Sequence, residues 1–123
     1  MSTVLADTSV WRRHFSGGKG VAHLSELLDE GSLVIHPWII GELVLGGVSA
    51  RAKTLLQRLP RASVVPDEEV LAFVHSRKLQ QRGVGWVDVH LLASALVQRS
   101  ALWTLDQDLA AAAAHCGAGY EPA

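Results

Sequence analysis

Val4-Leu5-Ala6-Asp7-Thr8-Ser9-Val10-Trp11 is the stretch that decides the fold. Thr3 to Ala6 is apolar and too short for a helix, so it predicts a buried strand. Asp7 stands at the carboxyl end of that strand, followed by the hydroxyls of Thr8 and Ser9. In open α/β sheets ligands bind outside the carboxyl ends of the strands, where strand order reverses. Asp7 is therefore a candidate site residue. It is equally well suited to cap a following helix, and this stretch alone does not choose between the two roles.

Length and composition set the frame. With 123 residues, one domain spanning 1–123 is expected, and 49% hydrophobic residues supply a real core. The formal net charge of −1 gives no global basic field, which weakens a nucleic-acid reading without excluding a local basic patch. One cysteine, Cys116, cannot form an internal disulfide, which fits a reducing, cytoplasmic setting. No signal peptide and no membrane-spanning stretch are expected.

Outward from the first strand, the pattern alternates. Val10 to Phe15 predicts a helical turn carrying Arg12 and Arg13. The loop Ser16-Gly17-Gly18-Lys19-Gly20 lacks the order of a P-loop. A helix over Val21 to Glu30 places Leu24, Leu27 and Leu28 on one face, and Gly31 ends it. Ser32 to His36 predicts a second strand. Pro37 opens an apolar helix that reaches Leu45, with Glu42 its only charge. A lone carboxylate there is costly unless it is paired, bound to a cation, or placed at an edge in reach of water.

A helix over Ala50 to Leu59 turns Leu55, Leu56 and Leu59 inward and stops at Pro60. Ala62 to Val65 predicts a third strand. Asp67 is expected to cap the next helix, with Glu68 and Glu69 matching its dipole. That helix is expected to carry Arg77, Lys78 and Arg82 in its last turns, before Gly83. The helix that follows runs through Val97 with Leu91, Leu92, Ala95 and Leu96 inward, which puts Asp88 on its buried side. His75 and His90 read as isolated, so no zinc-type spacing is present. Ala101 to Thr104 predicts a fourth strand, Asp106 is suited either to a site role or to capping a helix over Gln107 to His115, or to both, and Gly119 to Glu121 offers a short edge strand before Pro122.

Strand–helix units repeated along the chain argue for a parallel sheet with helices on both faces. The expected class is a three-layer α/β/α domain with four to five strands in the order 3-2-1-4-5. Asp7 and Asp106 then lie at the switch point, with Glu42 and Asp88 on helices close by. Four carboxylates at close range repel unless cations neutralise them. Oxygen-only ligands favour Mg²⁺ or Mn²⁺ over zinc. Such a cluster suits metal-assisted phosphodiester hydrolysis.

The set Asp7-Thr8-Ser9, Glu42 in its apolar helix, Asp88 before Leu91-Leu92-Ala93-Ser94-Ala95, and Thr104-Leu105-Asp106-Gln107-Asp108 resembles a PIN domain along the whole chain. More closely it resembles the VapC-like ribonuclease toxins of VapBC toxin–antitoxin modules. The resemblance implies a metal-dependent endoribonuclease acting on structured RNA such as tRNA or ribosomal RNA. It implies Asp7, Glu42, Asp88 and Asp106 as catalytic metal ligands, a VapB-like antitoxin covering the site, and a homodimer. Asp108 would be a further ligand. Leu109 departs from the aromatic that many relatives carry there. Thr8, Ser9 and Thr104 are supporting residues. Arg12, Arg13, Arg77, Lys78 and Arg82 are candidates to hold RNA phosphates.

Other readings stay open. A PIN-like RNA-processing nuclease outside a toxin–antitoxin module and an inert binding module share the pattern. A receiver domain needs an acceptor Asp after the third strand. A haloacid-dehalogenase-like phosphatase needs a second Asp where Ser9 stands.

Overall fold

A computed structural model describes residues 3–122. Three parallel strands form its centre: β1 (Val4–Ala6), β2 (Leu33–Val34) and β3 (Ala101–Trp103), in the order β2-β1-β3. Val4, Leu5 and Ala6 are all buried. Successive strand side chains point to opposite faces, so this central strand is covered on both sides, as a parallel sheet requires. Seven helices surround it: α1 (Thr8–Phe15), α2 (His23–Asp29), α3 (Pro37–Leu45), α4 (Ala50–Arg58), α5 (Asp67–Ser76), α6 (Trp86–Gln98) and α7 (Gln107–His115). Burial of Trp11, Ile39, Leu56, Leu92 and Leu109 ties α1, α3, α4, α6 and α7 into one core. Each such side chain stabilises by about 1.5–3 kcal/mol relative to exposure.

The expected order is present, with shorter strands than the sequence suggested. The third and fifth strands shrink to single parallel bridges, Ile35↔Arg61 beyond β2 and Leu102↔Gly119 beyond β3. The reason lies in the hydrogen bonds. Ser63 N–H donates to the Gln98 side chain, and Ser63 C=O accepts from the Ser94 hydroxyl. Side chains of α6 thus replace a ladder along 62–65, and Pro66 has no N–H to extend one. Ser32 to His36 likewise contracts, because Ile35 spends its pairing on the Arg61 bridge and His36 becomes the N-cap of α3.

Two helix boundaries also differ. Asp67 does not cap α5; Pro66 occupies the N-cap position and Asp67 is the first helical residue. The helix ends at Ser76 rather than near Arg82. Lys78 adopts φ 54°, and Leu79 N–H reaches back to Val74 C=O, a left-handed C-terminal closure that buries Leu79. Arg77, Lys78 and Arg82 consequently lie in the connection between α5 and α6, not on a helix. Leu55, expected inward, is 36% exposed, whereas Leu56 is fully buried.

Candidate active site

Asp7 leaves β1 with its N–H bonded to Trp103 C=O, which fixes it between β1 and β3. The next residues begin α1, and Asp7 is their N-cap. Oδ1 accepts from Ser9 N–H at 3.0 Å, Val10 N–H at 3.3 Å and the Ser9 hydroxyl at 2.5 Å. Oδ2 accepts from the Thr104 hydroxyl at 2.5 Å. The cap uses Oδ1 alone, and Oδ2 is left to the Thr104 hydroxyl. Asp7 is only 6% exposed. Burial raises its pKa above 3.8, opposed by the Ser9 and Thr104 hydroxyls and the Val10 and Ser9 amides.

Thr104 extends the network. Its Oγ1 accepts from Asp106 N–H at 3.0 Å, and Asp106 Oδ1 accepts from Leu109 N–H at 3.0 Å as the N-cap of α7. Ser9 Oγ also accepts from Leu105 N–H at 3.0 Å. The turn after β3 is thus laced to the turn after β1 by two hydroxyls. On the other side, the buried Thr8 donates its hydroxyl to Glu42 Oε1 at 2.6 Å. Adjacent residues Asp7 and Thr8 therefore link Asp106 to Glu42.

Glu42 corrects one expectation. It is exposed, so α3 carries it at an edge in reach of water, and its carboxylate bears no burial cost. Asp88 corrects another. It is half-buried and accepts from Gly85 N–H at 3.1 Å, the backward half of a capping box whose forward half glycine cannot supply. Asp108 is exposed and leans on the same turn: its Oδ2 lies 2.7 Å from where a Cβ on Gly83 would stand. The structure thus brings Asp7, Glu42 and Asp106 into one hydrogen-bonded chain. Asp88 and Asp108 flank the Gly83–Gly85 turn, with no direct hydrogen bond to that chain among the described residues.

The chemistry of these groups suits a divalent cation. The donors are carboxylates and hydroxyls only, the set that hard cations take. Among the described residues, none of the five acids has an ion-pair partner. In this arrangement their oxygens face hydroxyls and amides, and among the described residues no three His, Cys, Asp or Glu side chains already stand as a finished metal shell. Arg12 and Arg13 are exposed on α1, and Arg13 donates to Lys19 C=O at 3.4 Å.

Sequence reasoning missed one group entirely. His90 is not isolated. It is buried, with Nε2 3.3 Å from Asp67 Oδ1 and its ring 4.5 Å from both Trp38 and Trp86. His36, also buried, accepts from Trp38 N–H through Nδ1. Burial, with His90 nearby, lowers the His36 pKa to about 4. The four-residue spacings Trp38–Glu42 and Trp86–His90 were the available signal.

A parallel sheet with acids just beyond the ends of the adjacent strands β1 and β3 fits a PIN-type architecture, and the PIN domain family matches residues 4–115. The chain belongs to the PIN-domain family. Within it, the chain is 44% identical over 117 residues to Ribonuclease VapC32 of Mycobacterium tuberculosis, in both strain CDC 1551 / Oshkosh and strain ATCC 25618 / H37Rv, covering 93% of each chain. It also shares the fold of PAE2754 from Pyrobaculum aerophilum, known from a crystal structure, with a TM-score of 0.58 at 19% identity, over 90% of this chain and 79% of that one.

Proposed function

We propose that this protein is a VapC-type endoribonuclease, the toxin of a VapBC-type module, hydrolysing phosphodiester bonds of structured RNA such as tRNA or ribosomal RNA to inhibit translation. The observation that carries this is the Asp7 carboxylate, clamped by Ser9 and Thr104 between the turns after β1 and β3, in a chain so similar to a VapC ribonuclease. A VapB-like antitoxin restrains it, it acts as a homodimer, and it works in the cytoplasm. Among the described residues, no helix is long and apolar enough to cross a membrane.

Asp7, Glu42, Asp88 and Asp106 would hold Mg²⁺ or Mn²⁺, with Asp108 alongside. When bound, such an ion supplies Lewis acidity and a water of lowered pKa. The chain's own residues prepare for it. Ser9 and Thr104 fix the plane of the Asp7 carboxylate, and Thr8 aims Glu42. Glu42 and Asp106 are exposed, and each gives only one carboxylate oxygen to hydrogen bonds, Oε1 to the Thr8 hydroxyl and Oδ1 to Leu109 N–H. Arg12, Arg13, Arg77, Lys78 and Arg82 offer charge to the RNA backbone.

The test is cleavage of purified tRNA and ribosomal RNA with Mg²⁺, Mn²⁺ or Zn²⁺ after chelator treatment. Mg²⁺ or Mn²⁺ should restore cleavage and Zn²⁺ should restore less. Cleavage that persists in chelator overturns the metal assignment. Expression of the toxin alone should arrest growth, and its cognate antitoxin should relieve the arrest. Harmless expression of an RNA-cleaving protein would mark it as a processing nuclease instead.

A further inference from the structure

Of the four tryptophans, Trp11 and Trp103 are buried in the core. The other two are not. Trp86, the first residue of α6, is 44% exposed, and Trp38, the second residue of α3, is half-buried. They come from helices distant in sequence yet meet at one ring. His90 lies 4.5 Å from Trp38 at 49° and 4.5 Å from Trp86 at 85°. His36 abuts the Trp38 ring at 5.3 Å.

Two features of this cluster point to a ligand. His90 is 1% exposed, and while its Nε2 lies 3.3 Å from Asp67 Oδ1, its Nδ1 has no partner among the described residues, nor does His36 Nε2. Native interiors seldom leave such groups unspent. The cluster also shares its two helices with two acids of the proposed site. Trp38 lies one helical turn before Glu42, and Trp86 two residues before Asp88. Its nearest charged neighbour is Asp67, which disfavours a phosphate and suits the amino group of a base. The exposed large apolar side chains that α6 adds here are Trp86 and Val87, of which only Trp86 presents a ring.

We propose that Trp38 and Trp86, backed by His90, form a stacking platform for one unpaired nucleobase of the RNA, beside the phosphodiester that is cut. This rests on the nuclease reading above. Unstacked bases in single-stranded RNA are held on aromatic faces in this way, with hydrogen bonds at their edges adding to the hold.

The experiment measures fluorescence anisotropy of a labelled ten-residue oligoadenylate on the full chain carrying Asp7→Asn, in chelator, so that no cleavage intervenes. Trp86→Ala in that background should weaken binding about 5- to 150-fold, the range for loss of one base–aromatic stack. Trp86→Phe, which keeps a ring, should recover most of it, while affinity for a fully paired RNA duplex of equal length should be the same in all three. In the Asp7-intact chain, Trp86→Ala should raise KM for RNA by a similar factor. Unchanged oligoadenylate affinity in a folded Trp86→Ala protein overturns the platform. So does loss of antitoxin binding with RNA affinity intact, which would assign the surface to a protein. Oligoadenylate binding that depends on Trp86 in a protein that cuts no RNA would sustain the platform and remove the nuclease reading alone.

Discussion

The Thr104 hydroxyl donates to Asp7 across 97 residues of sequence, joining the loop after β3 to the loop after β1. The same oxygen accepts from Asp106 N–H. One side chain thereby sets the spacing of two acids.

Thr104→Val preserves shape and removes both bonds. Cleavage should fall about 10- to 100-fold, the usual effect of losing a residue that orients a metal ligand. Thr104→Ser should retain most activity. Rates on RNA at saturating Mg²⁺ check this, and equal rates for Val and Ser would show that the hydroxyl does not matter.

Asp7→Asn retains an N-cap acceptor, since Asn and Asp cap about equally well. Without metal its melting temperature should therefore match or exceed wild type, because a buried carboxylate is gone. RNA cleavage should be lost, and added Mg²⁺ should stabilise it less than wild type. Glu68→Gln, an exposed acid in the first turn of α5, should leave both readouts unchanged. Retained cleavage in Asp7→Asn would remove the centre of the proposed site.

Gly83 has φ +78°, and a Cβ there would meet Asp108 Oδ2 at 2.7 Å. Gly83→Ala should destabilise by about 1–2 kcal/mol through backbone strain alone. It should also displace Asp108 by contact. Adding Asp108→Ala should recover the contact part and leave the strain part, so the two changes should not sum. Urea melts of the single and double variants measure the difference.

His36 gives the protein a defined response to acid. Its pKa falls from 6.5 unfolded to about 4 folded. The folded state then binds fewer protons than the unfolded state between those values, so stability rises with pH there. The contribution is present in full above pH 6.5 and is lost as pH drops toward 4, with an upper bound of about 3 kcal/mol. Asp7, raised above 3.8, has the opposite sign, because its folded form holds a proton more readily. His36→Asn keeps a capping acceptor for Trp38 N–H and should flatten the slope between pH 6.5 and 4 while leaving the Asp7 contribution in place. Identical slopes in wild type and variant would contradict the assignment.

The strand-end acids were legible because β1 and β3 are short apolar runs that stop at polar residues, a local signal. Strand lengths were not, since 62–65 satisfies its backbone with Ser94 and Gln98, some thirty residues away. The exposure of Glu42 was hidden by a helix that is apolar nearly all round, with Leu45 91% exposed. A stripe cannot be read where no polar face contrasts with it. Asp88 looked like a core-facing acid because its capping partner, Gly85, has no side chain to announce an N-cap. The left-handed turn at Lys78 was illegible for a related reason: Arg and Lys have good helix propensity, and burial of Leu79 overrides it. The tryptophan–histidine cluster draws on α3, α5 and α6 together, so no window of sequence contains it.

The contraction of both outer strands to single bridges has a consequence for how this molecule meets other chains. A sheet margin one residue long offers almost no row of free amides and carbonyls for a foreign strand to pair with. Recruitment by strand addition is thereby closed off along the described margins, and so is one common route to fibrillar self-association. A protein partner then finds mostly helix and loop side chains to fit, where recognition depends on shape and residue identity rather than on a generic backbone ladder.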